Sequence, residues 1–297
     1  MYKIFNHKNR MSGFTLLELL VVMAILAAVA GTATIALKDT DARAAAAAHV
    51  AMMDELNKGV HTYRVLKRNE LPNRFDSLMQ LGATDTTDAV RAGSTAASGD
   101  NLLGWDAADA ATVALDADTV AVLGDAGINT LMYIDTTATG ADHDCVDVNE
   151  TIQSRTNAVV ANNIFMSPEA NGCGSPEALV AGSIVTVWTG GSERLTGTPD
   201  ATATYNDDGN PVYIQLGVGP SCTLFNTREL GGMTTVPVYR HVGGDQYGRF
   251  IAIFEVGTWD TGAIEAIDQV EFIGVVDGAL DTKEEELGEW DGTRNTI

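Results

Sequence analysis

The stretch from Phe14 to Leu37, FTLLELLVVMAILAAVAGTATIAL, runs for 24 residues with a single charged side chain, Glu18. Wound as a helix at about 1.5 Å per residue, a run of that length crosses a hydrocarbon layer roughly 30 Å thick with some tilt. It is read as a membrane-spanning helix. The residues before it, MYKIFNHKNRMSG, carry Lys3, Lys8 and Arg10 and no acid. Positive charge at the near end of a first membrane helix keeps that end cytoplasmic, so everything after Leu37 is expected on the outer side. An ordinary secretory signal has a shorter apolar core, with its small-residue cleavage site on the far side. Here the small residue, Gly13, stands before the apolar run. A cut at that point leaves the helix on the mature protein.

The helical signal continues past Leu37. Ala44 to Ala48 are strong helix formers, and Val50, Met53, Leu56, Val60, Tyr63 and Leu66 recur every three or four residues as one apolar stripe. Asp54, Glu55, Lys58, Arg64 and Lys67 fall largely off that stripe. The pattern predicts one helix from about Phe14 to Asn69, roughly 80 Å long, ended by Pro72 and the restriction it places on Leu71. Its first half belongs in lipid, and its second half packs on a domain. The chain divides into a leader (1–13), the helix (14–70, membrane-spanning over 14–37) and a globular head (71–297).

Within the head, Asn73 reads as the cap of a short helix carrying Phe75, Leu78, Met79 and Leu81, stopped by Gly82. From Ala83 to Asp144 the composition is loop-like, with strand or helix candidates around Thr112 to Val122 and Thr130 to Ile134. So long a loop is expected to be a variable surface rather than core. Ser183 to Trp188, Val212 to Gly217, Val236 to Val242, Arg249 to Val256 and Val270 to Val276 are rich in β-branched and aromatic residues between turn formers. They alternate with turns rather than long helices, which predicts an antiparallel sheet and an α+β fold.

The formal net charge is −22, and without the leader's three cations it is −25. An excess of carboxylate on that scale repels phosphate, so no nucleic acid partner is expected. The three cysteines, Cys145, Cys173 and Cys222, lack the close pairing of zinc or iron–sulfur sites. In an oxidising compartment two of them form one disulfide and one is left over. Cys145 and Cys173 enclose the shorter loop among turn formers and are the favoured pair. Two acidic clusters are candidates for calcium, which takes six to eight oxygen ligands. One holds Asp142, Asp144 and Asp147, the other Asp207 and Asp208 beside Gly209, and neither has EF-hand spacing. His49 and His61 lie twelve residues apart on the helix, too far for one metal site. No nucleophile or phosphate-loop motif is present, and an enzyme is not expected.

The segment Gly13-Phe14-Thr15-Leu16-Leu17-Glu18-Leu19-Leu20-Val21-Val22 resembles the cleavage and assembly signature of type IV pilins and type II secretion pseudopilins. The likeness extends at motif level from about Lys8 to Leu37, and the long helix followed by a β-rich end is similar to the family's pilin-like plan. One departure is the absence of a proline within the membrane helix; Gly31, a poor helix former, is the candidate for local softening there. The resemblance implies that a prepilin peptidase cuts after Gly13 and methylates the new amine at Phe14. It implies that the subunit sits in the inner membrane with its head outside, meets an assembly platform protein, and joins a filament with itself and other pilin-like subunits. It also raises the prospect of calcium in the head. Pilus and secretion pseudopilus stay equally open on these residues. A rival reading is a membrane-anchored extracytoplasmic binding protein or adhesin that borrows the signal for export.

The residues carry physical reasons for these roles. Glycine at the scissile bond enters a tight site without a Cβ clash. A carboxylate in the bilayer costs at least about 2.5 kcal/mol unless paired, and a neighbouring subunit's Phe14 amine supplies a cation for Glu18. With the matching peptidase, the mature chain is expected to begin at Phe14, and Gly13→Val to leave the precursor uncut. Mass spectrometry of the membrane protein checks both, and Met1 at the terminus of assembled protein contradicts them.

Overall fold

The computed structural model describes residues 16–81, 110–134, 174–197, 206–229, 233–239 and 247–291. Helix α1 (Leu16–Leu66) is one unbroken helix of 51 residues. Its apolar stripe is buried where the periodicity places it, with Ala46, Val50, Met53, Leu56, Val60 and Tyr63 at most 9% exposed. Leu66, at 50% exposure, lies beyond the stripe's end. The helix stops just short of the expected position. Arg68 and Asn69 take positive φ values of 59° and 79°, and Arg64 donates to the Asn69 side chain through Nε and Nη2. Left-handed residues after the last turn end a helix by redirecting its final carbonyls, so Pro72 is not needed as the breaker.

The stripe packs on a mixed sheet. Its described strands are β1 (Phe75–Gln80), β2 (Ala110–Ala114), β3 (Thr130–Ile134), β4 (Gly174–Ala178), β5 (Ile184–Trp188), β6 (Pro211–Gly217), β7 (Ile251–Asp260) and β8 (Ala263–Val276). β6 is the hub. Along one edge it pairs with β7, which forms an antiparallel hairpin with β8 around Thr261 and Gly262. The other edge is shared by β5 at Gln215 and Ile214 and by β1 at Gly217. β2 then pairs with β5, and β3 and β4 continue outward from β1. The β1–β3 pairing is parallel, whereas the other described pairings are antiparallel. The expected antiparallel sheet is present with one parallel pair, β1–β3, which makes it mixed within the expected α+β class.

Two further expectations are corrected. The segment after Asn73 is strand β1, not a short helix. Asn73 Oδ1 accepts from the backbone N–H groups of Arg74, Asn129 and Thr130, which ties the start of β1 to β3 rather than capping a helical turn. The 110–134 part of the supposed surface loop is core: β2, a helix α2 (Ala117–Asp125) capped by Asp116 through Thr119 N–H, and β3. Leu115, Leu123, Ile128 and Leu131 in this segment are fully buried. The rest of the Ala83 to Asp144 stretch lies outside the described residues. Of the expected strand Val236 to Val242, residues 236–239 are irregular and the remainder lies outside the described residues.

Among the described residues the head also has two short α-helices, α3 (Ser192–Thr196) and α4 (Lys283–Asp291). The core centres on a chain of rings, with Phe75 at 5.3 Å from Phe254 and Phe254 at 5.5 Å from Phe272. At Gly127, with φ of 99°, a Cβ would come within 2.9 Å of the Leu71 carbonyl, so the chain leaving α1 can pass there only over glycine. Leu56 is completely buried in this core while Leu19 is 58% exposed. Leu56→Ala is expected to destabilise the head by about 2 to 5 kcal/mol, and Leu19→Ala to leave it within about 0.5 kcal/mol. Denaturant unfolding in detergent, followed by far-UV circular dichroism, measures both.

Candidate functional site

The N-terminal part of α1 differs from the rest of the described residues in having no cover. From Leu16 to Thr34 no residue is buried, and Leu16, Leu17, Leu20, Met23, Ile25, Leu26 and Val29 are each more than half exposed. That segment is long and apolar enough to cross a membrane, with a mean hydropathy of 2.4. Glu18 is an acidic side chain in its first turn, where the unsatisfied backbone N–H groups of the helix end favour a negative charge. Thr32 and Thr34 return their hydroxyl protons to carbonyls one turn back, which satisfies their polar groups without water. Gly13 and Phe14 lie outside the described residues.

Of the acids named for calcium, Asp207 and Asp208 are among the described residues. Asp208 Oδ1 accepts from Thr261 N–H at 2.7 Å, and Gly209 N–H donates to the Trp259 carbonyl. The loop closes the tip of the β7–β8 hairpin, and Asp207 and Asp208 are both exposed. Asp142, Asp144 and Asp147 lie outside the described residues, as do Cys145 and Cys173. Cys222 is buried as a free thiol, and burial first, with the charge of Asp76 adding to it, holds that thiol well above its ordinary value.

Beside it lies a buried polar group that sequence reasoning passed over. Asp76, on β1, is completely buried and accepts from the Tyr247 hydroxyl at 2.8 Å. Burial, then the charge of Asp76, raises the Tyr247 phenol well above its usual value, so it stays a donor. Arg249 donates to the Val236 and Pro237 carbonyls. A second overlooked feature is α4. Thr282 and Glu285 make one half of a capping box, in which Thr282 N–H donates to Glu285 Oε2 and the Thr282 hydroxyl donates to the same oxygen. The T-x-x-E spacing was there to be seen. Burial pushes the Glu285 carboxyl up, but hydrogen bonds from Arg194 and Thr282 hold it below its ordinary value. Arg194, on α3, also stacks over Trp188.

The prokaryotic N-terminal methylation motif matches residues 8–34. This is the prepilin-type signal of type IV pilins and pseudopilins, and it covers the end of the leader and the uncovered part of α1. The proteins built around it are structural rather than enzymatic, and the signal implies processing by prepilin peptidase. No curated protein and no solved structure matches the chain.

The thiol geometry has a direct consequence. Iodoacetamide applied to the native protein at about pH 8 is expected to leave Cys222 unmodified and to label it fully once guanidinium unfolds the head. Peptide mass spectrometry reads the difference, and native labelling of Cys222 contradicts the burial described.

Proposed function

We propose that this protein is a structural subunit of a type IV pilus or secretion pseudopilus, held in the inner membrane until its N-terminal helix is drawn into a filament. The observation that carries this reading is the pairing of the methylation motif with an α1 segment of which no residue is buried by its own chain. Lipid covers that surface first, and the helices of neighbouring subunits replace lipid on assembly. The exchange conserves an apolar environment, so it involves little loss of hydrophobic free energy. Glu18 supplies direction. Methylation at Phe14 leaves the terminal amine basic, and an adjacent subunit's amine neutralises the Glu18 carboxylate where water cannot.

The head then lies outside the cytoplasm, on the far side of the membrane from the assembly platform protein's cytoplasmic partners. A disulfide between Cys145 and Cys173 suits that oxidising compartment and adds about 2 to 4 kcal/mol.

Replacing Glu18 with Gln removes the charge and keeps the size. Glu18→Gln is expected to be inserted and cleaved normally yet to give few filaments, with Glu18→Asp intermediate. Cleaved protein and sheared filament are measured side by side. Normal filament yield from Glu18→Gln removes the assembly role of the carboxylate, and normal processing with no filament from the unmodified chain favours a membrane-anchored binding protein.

A further inference from the structure

At the hub of the sheet, a buried amide goes unserved. Gln215, on β6, is completely buried, and neither its Oε1 nor its Nε2 finds a hydrogen-bond partner among the described residues. A glutamine amide offers two donors and an accepting oxygen, and polar atoms buried in folded proteins are nearly always paired. Its neighbour across the ladder is a hydroxyl. Thr186, on β5, stands directly opposite Gln215, is 1% exposed, and donates Oγ1–H to the Gln215 backbone carbonyl at 3.0 Å. Residues in direct register share one face of the sheet, with their Cβ atoms about 4.5 to 5.5 Å apart. The amide carbon of Gln215 lies two bonds beyond its Cβ, so rotation about its own side-chain bonds brings that carbon to the Thr186 oxygen without moving either strand.

We propose that Thr186 and Gln215 join as an ester that ties β5 covalently to β6. Thr186 Oγ1 attacks Gln215 Cδ, the new C–O bond forms as the Cδ–Nε2 bond breaks, the hydroxyl proton passes to the nitrogen, and ammonia leaves. No electron is gained or lost. Ammonia becomes ammonium in water, which draws the step forward, and fixed proximity in the folded sheet supplies the encounter. The product removes the unpartnered N–H groups and leaves an ester carbonyl, a weaker acceptor whose burial costs less than that of an amide. Burial also keeps away the water that would reverse the bond. The bond forms within one head and does not depend on filament assembly.

The same face holds a group that can carry the proton. Gln215 and Gly217 lie two residues apart on β6 and therefore point to the same side. Asp76, on β1, pairs with Gly217, where an added Cβ would meet the Asp76 Cβ at 3.0 Å and strike the Tyr247 hydroxyl. The Asp76–Tyr247 pair thus occupies the next place along the face, on the same edge of β6 as Thr186. The Asp76 carboxyl takes the hydroxyl proton and returns it to the departing nitrogen.

The bond stands where the sheet is held least. β5 meets β6 through two residue pairs, Thr186 with Gln215 and Val187 with Ile214, whereas β6 meets β7 through seven. β2 is attached to the hub through β5. A covalent link at Gln215 secures both strands.

Mass spectrometry of the full processed protein tests the bond. Wild type is expected to be lighter than its sequence by one ammonia. After unfolding and reduction, cleavage by trypsin at Arg155, Arg194 and Arg228 puts Thr186 and Gln215 in different peptides. These peptides are expected to be recovered joined, and to separate in hydroxylamine, which cleaves esters. Joining distinguishes the bond from an asparagine succinimide, which releases ammonia within a single peptide. Thr186→Ser keeps the hydroxyl and is expected to stay joined, whereas Thr186→Val and Gln215→Met are expected to give separate peptides. Asp76→Asn is expected to leave most of the protein unjoined, with far-UV circular dichroism showing that it is folded. Separate peptides at full sequence mass from folded wild type overturn the ester and leave the amide to a buried water. Joined peptides from Thr186→Val overturn the assignment of the hydroxyl, and complete joining in Asp76→Asn overturns the proton path.

Discussion

Between Thr34 and Ala46 the helix α1 passes from full exposure to full burial inside one 51-residue element. A helix closes its backbone hydrogen bonds within itself, which is why the same element can stand in lipid at one end and in a protein core at the other. The environments demand different sequences. In the first nearly every side is apolar, whereas in the second a single stripe is apolar and the other faces are charged. The rest of the head is organised around that stripe: β8, the turn at Thr223–Phe225 and α4 lie against the stem, and the Phe75, Phe254 and Phe272 rings belong to the same core. Each fully buried side chain of this kind contributes about 1.5 to 3 kcal/mol, so the stem is part of the head's stability and not a tether attached to it.

That division explains what could be read from residues alone. The membrane half and the processing motif are local features, written in consecutive letters, and they match the methylation motif over residues 8–34. The buried stripe obeys helical periodicity and was equally plain. β5, β6 and β7 were visible as β-branched runs between turn formers. β1 was misread because Phe75, Leu78 and Met79 are spaced as on a helix face, while in the structure residues 75–79 are all buried and the period carries no information. A strand covered on both sides has no polar face to mark its alternation.

The buried polar groups were illegible for another reason. Asp76 is acceptable in the core only because Tyr247, 171 residues further along, brings a hydroxyl to it. Glu286 meets a helix that ended more than two hundred residues earlier, through His49. Nothing near either acid in the chain announces its partner, and composition assigns both to the solvated surface. Asp207 and Asp208, conspicuous as a cluster in the sequence, lie in a turn beside the tip of the β7–β8 hairpin. Burial and not clustering distinguishes the acids that matter to the fold.

The continuity of α1 has a mechanical side. A pull applied anywhere along residues 16–34 runs down the helix axis and reaches the head parallel to the contact between stripe and sheet. Met53, Leu56, Val60 and Tyr63 then resist together, in shear, instead of peeling away one after another. Interfaces loaded in this way yield only when the whole row slips by about one helical turn, roughly 5.4 Å. The head is thereby coupled to its stem as a rigid body under tension, and the weakest direction is sideways, where a lever arm of exposed helix lifts the stripe from one end.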